Sequence, residues 1–231
     1  MEGKTNAGFI MGVINVSCPA GSTVTVTKGT MSFSRSNVSS ASFNLPSAGT
    51  WTVRGTKGSL SQTKSVTLVP GQTASVSLSY RMYLFNSSAS DYYCTANSGG
   101  WVGHHEPWAS TSISSKCLHA TGTEGNQFLC ALWEDKAAVN FTDFNTITVT
   151  VSEYTVGAFN RFELYLSNTK EWNAPNGSKW SAAPPGSYTN VWDISAKGTY
   201  TKSVSGVSGS RYVKLYKNGV IFSVSQIYLD T

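Results

Sequence analysis

Residues able to do chemistry in this chain are few and scattered. His104-His105-Glu106 is the densest group of metal-ligating types. A helix offers ligands at i and i+4, as in H-E-x-x-H, and a strand at i and i+2. Adjacent histidines on a strand face opposite sides. A metal would require a distorted loop and a third ligand such as His119 or Asp91. The triplet therefore reads as a polar loop flanked by Trp101 and Trp108, with no metal and no cofactor expected. Ser87, Ser88 and Ser90 precede Asp91, but a serine nucleophile needs a sharp strand-to-helix turn and a base within reach. No G-x-S-x-G motif is present. Cys117 and His119 are near one another only in sequence. A glycosidase needs two carboxylates across a cleft, and nothing marks such a pair among the 12 acidic residues. No catalytic residue is assigned.

The aromatic residues are the better lead. Trp172-Asn173-Ala174-Pro175-Asn176-Gly177-Ser178-Lys179-Trp180 is a turn-rich loop with a tryptophan at each end, and Trp101 and Trp108 share another loop, beside Asp91-Tyr92-Tyr93. Flat rings cover the apolar faces of sugars, and Asn, Asp and Lys hydrogen-bond the hydroxyls. The candidate glycan contacts are Trp172, Trp180, Trp101, Trp108, Tyr92 and Asp91. The competing reading is that these rings close the open ends of a sandwich.

The positioning elements are strands. Charged residues make up 13% of the 231, against about 25% in a usual globular domain. Serine, threonine and glycine supply the missing polarity, as in sandwiches whose outer faces carry hydroxyls. The apolar share of 40% is ample for a core. A net charge of +5 comes from lysines and arginines that are scattered singly. It reflects a deficit of acids, and no nucleic-acid face is expected. No apolar run approaches the length of about 18 residues that a membrane helix needs. Phe9 to Val16 is short, broken by Gly12 and Asn15, and reads as a strand rather than a signal peptide. A whole chain of this kind would be made in a cytoplasm. Cys18 stands alone in the first half, leaving Cys94, Cys117 and Cys130 in the second. An odd number there predicts an unpaired thiol and reducing conditions.

From Gly8 to Tyr80 apolar residues alternate with period two between closely spaced turns. Ile10 to Val16 is a first strand, Cys18-Pro19-Ala20-Gly21-Ser22 a turn, and Lys28-Gly29 another. Phe43 and Leu45 precede the turn Pro46-Ser47-Ala48-Gly49. Trp51 and Val53, Val66 and Leu68, and then Val76, Leu78 and Tyr80 follow, with Pro70-Gly71-Gln72 as the last turn. This predicts a small immunoglobulin-like β-sandwich over residues 1–82. Val16-Ser17-Cys18-Pro19-Ala20-Gly21-Ser22-Thr23-Val24, Leu45-Pro46-Ser47-Ala48-Gly49-Thr50-Trp51-Thr52-Val53 and Val69-Pro70-Gly71-Gln72 resemble a PEGA or carboxypeptidase-regulatory-like domain. The resemblance implies a spacer or attachment module without catalytic residues.

Residues 83–231 predict a larger jelly-roll-like β-sandwich. Phe144, Ile147, Val149 and Val151 share one face of a strand, and Phe162, Leu164 and Leu166 lie on another. Lys217-Asn218-Gly219 signals a hairpin. The only helical material is Glu134-Asp135-Lys136-Ala137-Ala138, too short to stand alone. The order Gly99-Gly100-Trp101, Phe144 to Val151, Val191 to Ser195, and Tyr212-Val213-Lys214-Leu215-Tyr216 through Ile227-Tyr228-Leu229-Asp230 resembles the lectin-like, carbohydrate-binding-module-like sandwiches of tailed-phage and prophage virion proteins. That resemblance implies a non-enzymatic capsid-decoration, head-fibre or tail protein of the virion, made in the host cytoplasm. It would attach to other virion proteins through its first domain, in many copies or as a homo-oligomer, and contact host cell-surface glycan through its second. The alternative is a bacterial surface adhesin, or a carbohydrate-binding fragment of a secreted enzyme.

Overall fold

The computed structural model describes residues 11–86, 102–104, 111–114, 117–120, 126–130, 138–167 and 188–231. It is all-β, with sheets of sandwich type and no helix among the described residues. The chain divides into two compact units, Met1–Arg81 with Thr231, and Met82–Asp230.

The smaller unit holds β1 (Gly12–Lys28), β2 (Met31–Leu45), β3 (Gly49–Lys57), β4 (Leu60–Leu68) and β5 (Thr73–Ser77), in the order β2-β1-β3-β4 with β5 paired to β1. Period-two alternation sends one set of side chains inward: Ile14, Val16, Val24, Val26, Phe43, Leu45, Trp51, Val53, Leu68, Val76 and Leu78 form the core. The opposite face is hydroxylated, Thr25 being paired with Ser34 and Arg54, and Thr27 with Ser32 and Thr52. Turns fall where glycine supplies positive φ, as at Gly49 (105°) and Gly71 (74°).

The turn expected at Cys18–Ser22 is instead a bend inside one strand. The first half of β1, Val13–Ser17, lies between β2 and β5, and its second half, Thr23–Thr27, lies between β2 and β3. Both halves pair with β2, so the chain cannot reverse there, and it crosses from one layer to the other through a bulge. Positive φ at Gly21 and at Asn37, in the facing part of β2, makes the corner. Inside it, the buried Tyr80 hydroxyl donates to Ser22 Oγ at 2.9 Å, and Ser22 donates to the Pro19 carbonyl.

The larger unit holds β6 (Arg81–Asn86), β7 (Val102–His104), β8 (Thr111–Ser114), β9 (Cys117–Ala120), β10 (Asn126–Cys130), β11 (Val139–Asn140), β12 (Thr146–Ser167), β13 (Tyr188–Ile194), β14 (Gly198–Ser203) and β15 (Ser210–Asp230). Its main path is β13-β12-β15-β10-β7. β14 pairs with β12, β6, β9 and β11 pair with β15, and β8 pairs with β9. The antiparallel β12/β15 pair runs from Thr146↔Asp230 to Ser167↔Tyr212 and carries the unit. Its buried residues include Ile147, Val149, Val151, Phe162, Leu164, Leu166, Val213, Val220, Phe222, Val224, Ile227 and Leu229.

Two sequence expectations are corrected here. Phe144–Val151 and Phe162–Leu166 do not occupy separate strands, because Ile147 through Leu166 run along β12. Lys217-Asn218-Gly219 is not a hairpin turn but lies inside β15. An Asn-Gly hairpin needs its flanks to pair with each other, whereas both flanks here pair with β12, at Val156↔Val220 and Arg161↔Asn218. The extra residues on β12 between those pairs form an irregularity that takes up the mismatch. The helical segment proposed at Glu134–Ala138 lies outside the described residues except for Ala138. Cys18 is a free, half-buried thiol, and Cys94 lies outside the described residues.

Candidate functional site

All six candidate contacts, Asp91, Tyr92, Trp101, Trp108, Trp172 and Trp180, lie outside the described residues. What the structure supplies is the strand ends that their segments join. Tyr165 of β12 pairs with Lys214 of β15, Lys214 with Cys130 of β10, and Cys130 with Val102 of β7. Val102 is where the segment 87–101 enters the sheet. Ser167, two residues beyond Tyr165, is where 168–187 leaves it, and that segment returns at Tyr188, the register partner of Ser167. Trp101, which immediately precedes Val102, and the connection carrying Trp172 and Trp180 therefore attach at one end of one sheet. The segment carrying Asp91 and Tyr92 starts instead from Asn86, beside Gln226 and far along β15 from Lys214. From β12 to β7 is three inter-strand steps, about 14 Å.

Trp101 and Trp108 were expected in one loop, but β7 stands between them, held by pairing of Val102–His104 with β10. The segment with Trp108 leaves β7 at its other end. The same pairing puts the His104 backbone in a regular strand rather than a distorted loop, while His105 and Glu106 lie outside the described residues. Among the described residues no three His, Cys, Asp or Glu side chains come together as a metal site.

Sequence reasoning missed the outward face of this sheet. Along β15, Gln226 and Tyr228 alternate with buried Ile227 and Leu229. Register aligns Thr199, Thr150 and Gln226 in one row, Thr201, Thr148 and Tyr228 in the next, and Ser203, Thr146 and Asp230 in a third. Paired antiparallel residues share a face. Thr148 and Thr201 hydroxyls meet at 2.8 Å and those of Thr150 and Thr199 at 3.2 Å. Tyr83 of β6 packs edge-on against Tyr228, centroids 5.5 Å apart, and Gln226 Nε2 donates to Asn86 Oδ1 at 3.2 Å. The one signal for this face was the T-x-T and Q-x-Y spacing, which marks an outward set without saying which strands share it.

Further along that face Ser223 Oγ donates to Glu153 Oε2 at 2.6 Å, and register sets His119 of β9 beside Ser223. Ser223 is 1% exposed and gives its proton to a carboxylate. This is a strand-to-strand tie, since a nucleophile must reach a substrate. On the other side of the sheet Tyr154 donates to the Ile194 carbonyl at 3.1 Å. Burial raises its phenol above the ordinary range, with a smaller push in the same direction from Tyr200.

No family model and no curated protein matches the sequence. Among solved structures, the chain is similar to the low-affinity xylan-binding module CBM86 of Roseburia intestinalis at 11% identity and a TM-score of 0.35, covering 66% of this chain and 94% of that one. It is also similar to a carbohydrate-binding module of the β-sandwich superfamily at 11% identity and a TM-score of 0.35, covering 89% and 83%. Identities and scores this low fix neither a family nor a ligand.

Proposed function

We propose that the larger unit is a non-enzymatic glycan-adhesion domain, displayed by the smaller unit on a tailed-phage virion as a decoration, fibre or tail protein. The observation that carries the adhesion reading is that Trp101 and the connection 168–187, with its two tryptophans, attach at one end of the sheet. Rings presented from strand ends about 14 Å apart suit contact with linked sugars. The virion setting is supported by the resemblance in domain order and by the motifs of the smaller unit. That unit is the attachment module to other virion proteins, and many copies of a weak contact add avidity when the geometry permits. The same arrangement serves a bacterial surface adhesin or a carbohydrate-binding fragment of a secreted enzyme, and the neighbouring genes separate these settings.

Binding of the full chain to host cell walls tests the adhesion reading. Aromatic hot spots typically contribute about 2 kcal/mol or more, so Trp180→Ala weakens binding by about tenfold or more, at about 1.4 kcal/mol per decade. The melting temperature stays unchanged if the indole is a contact. A steep fall in melting temperature, or wall binding unaffected by Trp180→Ala and Trp172→Ala together, refutes the assignment.

A further inference from the structure

The outward face of β12, β14 and β15 is a second place with the chemistry to hold a sugar, built from strands rather than loops. Gln226 is half-exposed and gives one amide hydrogen to Asn86. A primary amide has two donors and a carbonyl acceptor. Among the described residues no other hydrogen bond occupies Gln226, so a donor and an acceptor remain side by side. Such a pair matches two neighbouring hydroxyls on a sugar ring. Within the Thr150/Thr199 pair one hydroxyl donates to the other, which leaves the second O–H available at the exposed end of the same row. Next to this row, the half-buried Tyr228 ring is braced by Tyr83 and offers a flat apolar surface held in one orientation.

From the Glu153 row to the Asp230 row β12, β14 and β15 place hydroxyls, an amide and a phenol on this face, with a carboxylate in each bounding row. β6 adds the exposed Arg81, two residues before Tyr83.

We infer that the outward face of β12, β14 and β15 binds a glycan chain, with a sugar ring on Tyr228 and its hydroxyls on Gln226 and Thr150. The inference rests on the glycan-binding reading of the larger unit and adds to it a site separate from the loop tryptophans.

The test is affinity electrophoresis of the full chain in gels containing soluble xylan, mannan, mixed-linkage β-glucan or dextran. The wild-type chain is retarded by at least one of these polymers. Gln226→Ala and Tyr228→Ala each weaken that retardation by about tenfold, the scale of a lost hot spot, and Tyr228→Phe, which keeps the ring, binds like wild type. Thr63→Ala in the smaller unit is the unaffected control. Should Tyr228→Ala fail to fold, Gln226→Ala and the isosteric Thr150→Val decide the matter. Retardation unchanged by Gln226→Ala and Thr150→Val overturns this site. If Trp180→Ala abolishes binding in that case, the adhesion reading stands and only the face assignment falls. A wild-type chain that no polymer retards, and that host cell walls do not hold, overturns both.

Discussion

Gly55 is a position where one added methyl group should destabilise the smaller unit strongly. It lies on β3, over the corner where β1 crosses between layers. A Cβ built there would stand 2.6 Å from Leu78 Cδ1 and 2.6 Å from Tyr80 Oη. Leu78 and Tyr80 are both buried, so neither can swing into solvent. Overpacking of this kind costs about 1–3 kcal/mol. Displacing Tyr80 Oη also strands a buried hydroxyl whose partner is Ser22 Oγ, a loss of about 1–3 kcal/mol. Together these give about 4 kcal/mol for Gly55→Ala, close to three decades in an equilibrium constant.

Hydrogen–deuterium exchange in the full chain reads this directly. Amides of β1 and β3 should exchange about a thousandfold faster in Gly55→Ala, at about 1.4 kcal/mol per decade. A double-mutant cycle identifies the cause. Tyr80→Phe removes the oxygen that the new methyl would strike, so Gly55→Ala/Tyr80→Phe should be less destabilised than the two single changes summed, by about 1 kcal/mol or more. Unchanged exchange in Gly55→Ala, or a strictly additive cycle, would refute the corner argument.

Two other outcomes follow from the cores. Burial raises the Tyr80 phenol above its ordinary 10.0, outweighing the lowering by its hydrogen bond with Ser22. The fold therefore favours the neutral phenol, so its contribution to stability is full below about pH 10 and is lost as pH rises through the folded-state value. Urea titrations from pH 8 upward should show that decline in wild type and a weaker one in Tyr80→Phe. In the larger unit the rings of Phe162 and Phe222 stack with centroids 3.9 Å apart and planes 13° apart. Phe222→Ala should cost about 3–5 kcal/mol, and equilibrium unfolding showing less than about 1 kcal/mol would mean that this stack does not hold β12 to β15.

How much of this was legible in the sequence depended on the range of the interaction that decides each feature. Trp51 and Val53, or Ile147, Val149 and Val151, announce a buried face because alternation is local to one strand. Gly49 and Gly71 mark turns because positive φ is a demand of their own backbone. Bulge against turn is a different kind of question. Cys18–Ser22 and Lys217–Gly219 carry strong turn chemistry, and each lies inside a strand because both its flanks pair with the same distant partner. Only pairing supplies that information. The candidate sites are non-local in the same sense. Tyr83 meets Tyr228, and Gln226 meets Asn86, across most of the length of the larger unit. The shared end of Trp101 and the 168–187 connection emerges only when Tyr165, Lys214, Cys130 and Val102 are read as one row. Residue type could nominate the tryptophans because sugar chemistry asks for flat rings wherever they stand. It could not nominate Gln226 or Thr150, which are ordinary outward residues until register sets them beside a braced tyrosine. A binding face on a sheet is a property of the row, and the row is written in the pairing.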